Sequence, residues 1–248
     1  MIHDPSRCRL GKQPARIDAK RLKLARYLPA SLPPAPESCD WTGKVAQFGM
    51  MLNDREGDCV FAAGAHAIQT WSAAEGVRRT PPDDQIQSYY EGWAGYRPSI
   101  SSTDQGYVIV EFLNRWRMFG YCGALLDGYA DPDWTNTEHI KLSIALFGGV
   151  NLGLQLPLAW RDATVWDIER GPDGAAGSWG GHSSWCPAYN ATGPICVTWG
   201  SLKQITWAGL TAYCDEAHVL RSPLFLNSQG LSASNVNFPL WDADLLLI

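Results

Sequence analysis

NDREGDCVFAAGAHAIQTWSAA, residues 53–74, opens with turn formers and charged residues and then becomes Ala-rich, with apolar side chains at helical spacing. The pattern predicts a helix from near Asp58 to about Ala74, which makes Cys59 its first residue. A thiol there meets unpaired backbone N–H groups and the positive end of the helix dipole, and both lower its pKa and raise its nucleophilicity. Taken alone, a small apolar residue packing a helix N-terminus explains Cys59 equally well. Asp54, Glu56 and Asp58 read as partners of the dipole, His66 as a structural residue, and Asp215-Glu216 as a solvated turn or cap.

Downstream, PPDDQIQSYYEGWAGY predicts a second helix over about 82–94, and YVIVEFLNRWRMFG a third, stopped by Gly120. NTEHIKLSIALFGGVNLGLQLP gives Asn136 as N-cap, a helix to about Phe147, a Gly-Gly stop and a strand over about 150–156. Short runs then follow, punctuated by Gly and Pro (ATVWDI, SSWCPAYN, GPICVTWGS, LKQITWAG), so strands dominate the second half. TAYCDEAHVL reads as a short helix or a last strand.

Upstream, SLPPAPES at 31–38 predicts an extended strap. The expected organisation is an arm and strap over 1–45, a helical half over 46–135, a β-rich half over 136–225 and a tail over 226–248.

Composition narrows the function classes. With 46% hydrophobic and 18% charged residues, the 248-residue chain is neither disordered nor fibrous, and its one outlier is twelve Trp. No apolar run approaches a membrane span, and MIHDPSRCRL lacks the apolar core of a signal peptide. The expectation is therefore a non-exported chain without membrane contact, cytoplasmic, or virion-associated if phage-encoded. The net charge of -5 is unevenly spread, since residues 1–30 hold eight basic residues against Asp4 and Asp18, about +6, leaving about -11 elsewhere. This basic arm either lies on the acidic body of its own or a neighbouring subunit or docks a protein assembly partner. No aromatic residue is interleaved before Tyr27, so nucleic acid is not the expected partner. The seven cysteines, an odd number, are expected to be reduced thiols by default, and at least one has no partner. His182 and Cys186 lack a second ligand pair at finger spacing, so neither a metal nor a cofactor is expected.

A second chemical element lies far from Cys59. In SWGGHSSWCPAYN two glycines precede His182 as a strand begins, which lets another chain approach closely. Nucleophile and base are typically distant in sequence and close in space, and His182 is the best base candidate.

At these residues the sequence resembles the papain-like cysteine peptidases, in order along about 150 residues. The family's Gln-x-x-x-x-x-Cys segment resembles Asn53 to Cys59, with Gly57 two residues before the Cys. Its glycine pair before a helix is similar to Asp104-Gln105-Gly106-Tyr107. Its Asn-Glu helix leading into a Gly-Pro-Val strand is similar to Asn136-Thr137-Glu138 through Gly149-Val150-Asn151-Leu152. Its His strand resembles Gly181-His182-Ser183-Ser184, and its Asn-Ser-Trp-Gly resembles Val197-Thr198-Trp199-Gly200.

The resemblance implies an α+β fold in which a helical half carrying the Cys helix packs against a β-rich, barrel-like half. It implies Cys59 as nucleophile and His182 as base, the imidazolium stabilising the thiolate. The oxyanion would be held by the Cys59 backbone N–H and the Asn53 side chain, where the family has Gln. Gly106, with Gly57, would bind an extended peptide or protein substrate by its main chain, and Trp199 would cover the histidine. The family's His-orienting Asn has no counterpart: motif alignment puts Val197 there, and counting from His182 gives Thr198, whose hydroxyl would accept the His182 Nδ1–H. Few residues precede Cys59, and the arm and strap are expected either to cross the cleft or to tie the chain to a partner. The expected function is a thiol hydrolase cleaving peptide or amide bonds. The alternatives are a catalytically impaired module serving as a structural or binding component, possibly of a phage particle, and an acyl transferase or cell-wall amidase.

Overall fold

Three helices and an antiparallel sheet face each other across the start of α1 (Cys59–Ala74) in the computed structural model, which describes residues 8–16, 21–30, 33–225, 236 and 238–246. Every residue of α1 is buried. Its Ala-rich sequence follows from that, because a central helix has no solvent face on which to place polar side chains. At Gly64 a Cβ would lie 2.6 Å from the Phe112 ring, so only glycine lets α3 (Ile109–Phe119) approach this closely. The helix α2 (Asp83–Ala94) starts after Pro82 with two aspartates in its first turn and ends at Gly95, whose φ of 75° is the left-handed stop that glycine supplies without strain. Phe61 of α1 gathers Tyr90, Trp93, Tyr107, Phe112 and Tyr121 into one aromatic cluster with centroids 5.0–6.3 Å away.

The helix α4 (Thr137–Phe147) is capped as its sequence predicts, Asn136 Oδ1 accepting from the Glu138 N–H at 3.0 Å. Gly148 and Gly149 then turn the chain into β3 (Val150–Leu156). The remaining strands are β1 (Cys39–Asp40), β2 (Gly128–Ala130), β4 (Val165–Trp166), β5 (Gly180–Tyr189), β6 (Pro194–Thr198), β7 (Ser201–Ile205) and β8 (Cys214–Arg221). They order as β2-β8-β3-β5-β6-β7-β4, with β1 pairing β5, and all pairs are antiparallel except β4 with β7. The architecture is α+β. The sheet stays open, with β2 and β4 at its edges, which corrects the barrel-like half expected from the resemblance.

Three further expectations change. The run LKQITWAG is a strand only to Ile205; its Trp207 begins α5 (Trp207–Tyr213), capped by the Thr206 hydroxyl accepting from Gly209 N–H. TAYCDEAHVL is therefore the end of a helix followed by β8, and Asp215-Glu216 lies on a strand, not in a solvated turn. Cys186 and Cys196 form a disulfide between β5 and β6, correcting the default of reduced thiols, while Cys39, Cys59, Cys122 and Cys214 remain thiols.

Six of the twelve tryptophans are fully buried core residues: Trp71, Trp116, Trp160, Trp166, Trp185 and Trp241. Leu22, Leu24 and Tyr27 of the arm pack with Val219 and with Trp241 of α6 (Phe238–Leu245), so the described part of the arm is built into the body. Its charges meet the chain's own carboxylates, Arg16 with Glu111, Lys23 with Asp131 and Arg26 with Asp244. The part of the tail over 226–235 lies outside the described residues. Among the described residues no helix is long and apolar enough to cross a membrane.

Candidate active site

Cys59 begins α1, and its side chain is covered to 1% exposure by β5 and by the arm. Its Sγ accepts the backbone N–H of Ser183 at 3.4 Å, one residue beyond His182. The helical wall and the sheet wall thus meet where the two candidate groups were expected. His182 sits on β5 opposite Leu154 of β3 and is itself 1% exposed.

The two-residue turn between β6 and β7 fixes the imidazole. Thr198 pairs with Ser201, and the intervening Trp199 and Gly200 have φ of 45° and 69°, the arrangement that a tight hairpin needs to match strand twist. For tryptophan this left-handed backbone costs about 1–2 kcal/mol. Two contacts hold it there: its indole stacks on the His182 ring at 4.4 Å and 22°, and its Nε1–H donates to the Arg9 carbonyl at 3.1 Å. The turn also brings the Thr198 hydroxyl 2.6 Å from His182 Nε2. The nitrogen that Thr198 engages is therefore Nε2 and not the expected Nδ1. Nδ1 is buried without a hydrogen-bond partner. Val197 faces away from this role, paired with Trp185 and Leu202 within the sheet.

Residues 9–13 of the arm run extended along the groove between the walls. Arg9 N–H donates to the Asn53 carbonyl at 3.0 Å, Lys12 N–H to the Gly181 carbonyl at 3.1 Å and Gln13 N–H to the Tyr107 carbonyl at 3.0 Å, while Gly11 O accepts from Tyr107 N–H at 2.7 Å. A Cβ on Gly11 would stand 1.7 Å from Gly57 O, and one on Gly106 would stand 1.8 Å from Gly11 O. Gly57 and Gly106 thus admit an extended main chain by close approach. Neither glycine N–H pairs with the arm, because the Gly106 N–H donates to the Tyr90 hydroxyl at 2.9 Å and the Gly57 N–H to Asp104 Oδ1 at 2.9 Å.

This cover sets the electrostatics. Burial pushes the Cys59 thiol up to about 12, the Asp58 carboxyl adds to the rise, and the N–H groups of Ser183 and Gly11 oppose it. Burial pulls His182 down to about 3, with His66 beside it acting in the same direction. In this closed arrangement both shifts oppose the thiolate–imidazolium pair that the resemblance implies. The helix dipole is outweighed because no water reaches the sulfur. Asp58 is not the expected dipole partner either. It is fully buried, and burial together with Glu56 raises its pKa well above the usual carboxylate value against the opposing hydrogen bonds from the Asn53 side chain and the backbone. The Asn53 amide donates to the Glu56 carbonyl at 3.1 Å, so one of its two hydrogens is already engaged. His66 Nε2 meets the Gly49 carbonyl at 2.8 Å.

No family model and no curated protein matches the sequence. Solved structures are similar in fold. Xylellain, a cysteine protease from Xylella fastidiosa, superposes with a TM-score of 0.63 over 89% of this chain and 98% of its own, at 14% identity. A structure of the mite allergens Blo t 1 and Der p 1 aligns at 0.49 over 85% and 74%, with 11% identity. The fold is papain-like. Within that papain-like frame Cys59, His182, Thr198 and Trp199 come together, and Gly57 and Gly106 line the groove beside them.

Lys12 and the acidic pair on β8 escaped the sequence reading. Lys12 Nζ is buried between Asp215 Oδ2 at 2.9 Å and Glu216 Oε1 at 3.1 Å. In sequence it is one of eight basic residues in the arm. The distinguishing signal was Gly11 beside it, a residue with no evident use in an extended arm unless another backbone comes close.

Proposed function

We propose that the chain is a thiol hydrolase acting on peptide or amide bonds, with Cys59 as nucleophile and His182 as general base and acid. The observation that carries this reading is the Cys59 sulfur facing β5 one residue from His182, in a groove that already holds an extended main chain.

For the reaction, the groove must first shed residues 9–13 and admit water and substrate. His182 Nδ1 takes the thiol proton, and the sulfur attacks the carbonyl carbon. The tetrahedral oxyanion is met by the Cys59 backbone N–H, which has no acceptor within its own helix. Collapse breaks the C–N bond, and the amine leaves with the proton from His182. Water, deprotonated by the same nitrogen, then cleaves the thioester and returns the free thiol. Thr198 accepts the Nε2–H throughout, which keeps Nδ1 available, and Trp199 excludes water from that bond.

A second reading, a binding module with an idle site, is favoured by the burial of Cys59 and His182 and by the shifts that oppose their ion pair. Cleavage of a mixed peptide library by the Gly11→Ala protein, abolished by adding Cys59→Ala or His182→Ala, separates the two. Equal cleavage with and without Cys59 refutes the mechanism.

A further inference from the structure

Gly57 and Gly106, the two glycines that the arm passes most closely, are tied to each other through side chains. The Gly57 N–H donates to both oxygens of Asp104, at 2.9 Å to Oδ1 and 3.1 Å to Oδ2. The same Oδ1 accepts the Tyr90 hydroxyl at 2.6 Å, and that hydroxyl accepts the Gly106 N–H at 2.9 Å. Gly57 lies two residues before α1, Tyr90 on α2, and Asp104 and Gly106 just before α3, so one unbroken chain of hydrogen bonds joins the starts of α1 and α3 to α2. Neither glycine belongs to a helix or strand, and these bonds are what satisfies their buried N–H groups.

Tyr90 is the joint of this chain. It is fully buried, stacked on Tyr96 at 4.7 Å and 22° and packed against Phe61 of α1 at 5.2 Å, so its ring is held in place independently of its hydroxyl. Burial and the neighbouring Asp104 push its phenol pKa up, so it keeps the proton that it donates. A phenylalanine would pack in the same way and cut the chain on both sides at once.

The chain closes around Gly11. A Cβ on Gly57 would lie 2.9 Å from Asp104 Oδ1 and 3.0 Å from Leu10 O, so this backbone leaves no slack between Asp104 and the arm. Gly106 has a φ of 69° and is followed by Tyr107, whose N–H and carbonyl make two of the arm's bonds. Cutting the chain at Tyr90 leaves the Gly106 N–H a buried donor without a partner. Turning that N–H toward water or the groove moves the edge that carries those two bonds, and the spacing between Gly57 and Gly106 is no longer fixed.

We propose that Tyr90 and Asp104 are positioning residues: their hydrogen-bond chain sets the spacing of Gly57 and Gly106, and with it the grip of the groove on an extended main chain. For turnover this rests on the groove being the peptide-binding site of the proposed hydrolase. For residues 9–13, which already occupy the groove, it does not.

The first test is iodoacetamide labelling of Cys59 in the full-length Tyr90→Phe and Asp104→Ala proteins, with the arm itself as the groove's ligand. A weaker grip opens the arm more often, so labelling should be about tenfold faster in each. The double variant should gain no more than either single one, because both cut the same chain. Cys122 and Cys214 should label at wild-type rates, and Asp104→Asn should stay within about threefold of wild type, since its Oδ1 can still accept from both Gly57 and Tyr90. Wild-type labelling of Cys59 in both cut variants, a gain shared equally by Cys122 and Cys214, or gains that multiply in the double variant each overturn the proposal. Tyr90→Phe, which keeps the ring's packing, carries the test alone if Asp104→Ala does not fold. The second test adds Tyr90→Phe to the Gly11→Ala protein: KM for a cleaved library peptide should rise about tenfold with kcat within about twofold. A fall in kcat at unchanged KM overturns the positioning role. Faster Cys59 labelling with no cleavage by any variant removes the hydrolase and leaves the positioning pair. Cleavage with labelling and KM both untouched by Tyr90→Phe removes the positioning pair and leaves the hydrolase.

Discussion

Replacing Gly11 by alanine should convert Cys59 from an inert to a reactive thiol. The new methyl carbon would stand 1.7 Å from Gly57 O and 2.3 Å from its carbonyl carbon, and backbone on both sides gives it nowhere to go. Residues 9–13 must then lift, giving up five hydrogen bonds of their backbone, roughly 0.5–1.5 kcal/mol each, together with the Lys12 ion pairs to Asp215 and Glu216 and the Gln13 side-chain bond to the Gln105 carbonyl. With the cover gone, the burial that holds the thiol at about 12 is relieved. A thiol returning to about 8.5 gains roughly 3,000-fold in thiolate at pH 7.5. The less basic thiolate is intrinsically slower, by about 40-fold for a Brønsted slope of 0.4–0.5, so alkylation should accelerate about 100-fold, before counting easier access. Iodoacetamide labelling followed by peptide mass spectrometry reads Cys59 separately from Cys39, Cys122 and Cys214. Gly92→Ala, whose new methyl meets nothing within 4 Å, is the control. If His182 regains its proton once uncovered, labelling of the variant should also persist well below pH 8 and lose that persistence in Gly11→Ala/His182→Ala. Labelling of Gly11→Ala at the wild-type rate with the wild-type pH profile would refute the claim that residues 9–13 seal the site.

Thr198→Val keeps the shape but leaves a buried imidazole N–H unpaired; a loss of about 1–3 kcal/mol in denaturant unfolding and a fall in library cleavage are expected, with Thr198→Asn recovering both. His218→Gln should cost about 3–5 kcal/mol by breaking a buried ion network. Its two carboxylates raise the His218 pKa against the opposing effect of burial, so its contribution is complete below pH 6.5 and fades as pH climbs through the raised value. Asp131 and Glu216 are depressed by His218 in spite of their burial, so theirs is complete above about pH 4.3 and fades as pH falls through the depressed values. The wild-type advantage over His218→Gln should therefore peak between about pH 4.3 and 6.5, and an advantage independent of pH would contradict the assignment. Deleting residues 1–40 removes Leu22, Leu24 and Tyr27 from buried positions and strips β1 from its pairing with β5, so a lower Tm is expected rather than the unchanged melt of a loose appendage.

The helices were legible because each carries its own punctuation. Asn136 caps α4, Gly120 and Gly148 stop α3 and α4, and the Ala-rich run of α1 allows little else. The strand pattern was legible as far as it was local. The open sheet was not, because the pairing of β3 depends on contacts across 24–36 residues to β5 and 60–67 residues to β8, and nothing in VNLGLQL specifies its neighbours. Within the site, Cys59 and His182 could be chosen from their glycine and helix-start settings. Thr198 could be reached only by counting, and which imidazole nitrogen it would engage depends on the turn at Trp199, whose positive φ no tryptophan advertises.

The arm was illegible for a different reason. It is held in the groove by backbone bonds, which leave no trace in side-chain pattern, and by one lysine among eight basic residues. The acidic pair that receives the lysine looked like surface because Asp and Glu are rarely buried without partners. Here the partner comes from more than two hundred residues away, so neither half announces itself. The same five-residue stretch that sets Lys12 between Asp215 and Glu216 also covers Cys59 and His182. A segment that displaces residues 9–13 therefore both breaks that ion pair and uncovers Cys59 and His182.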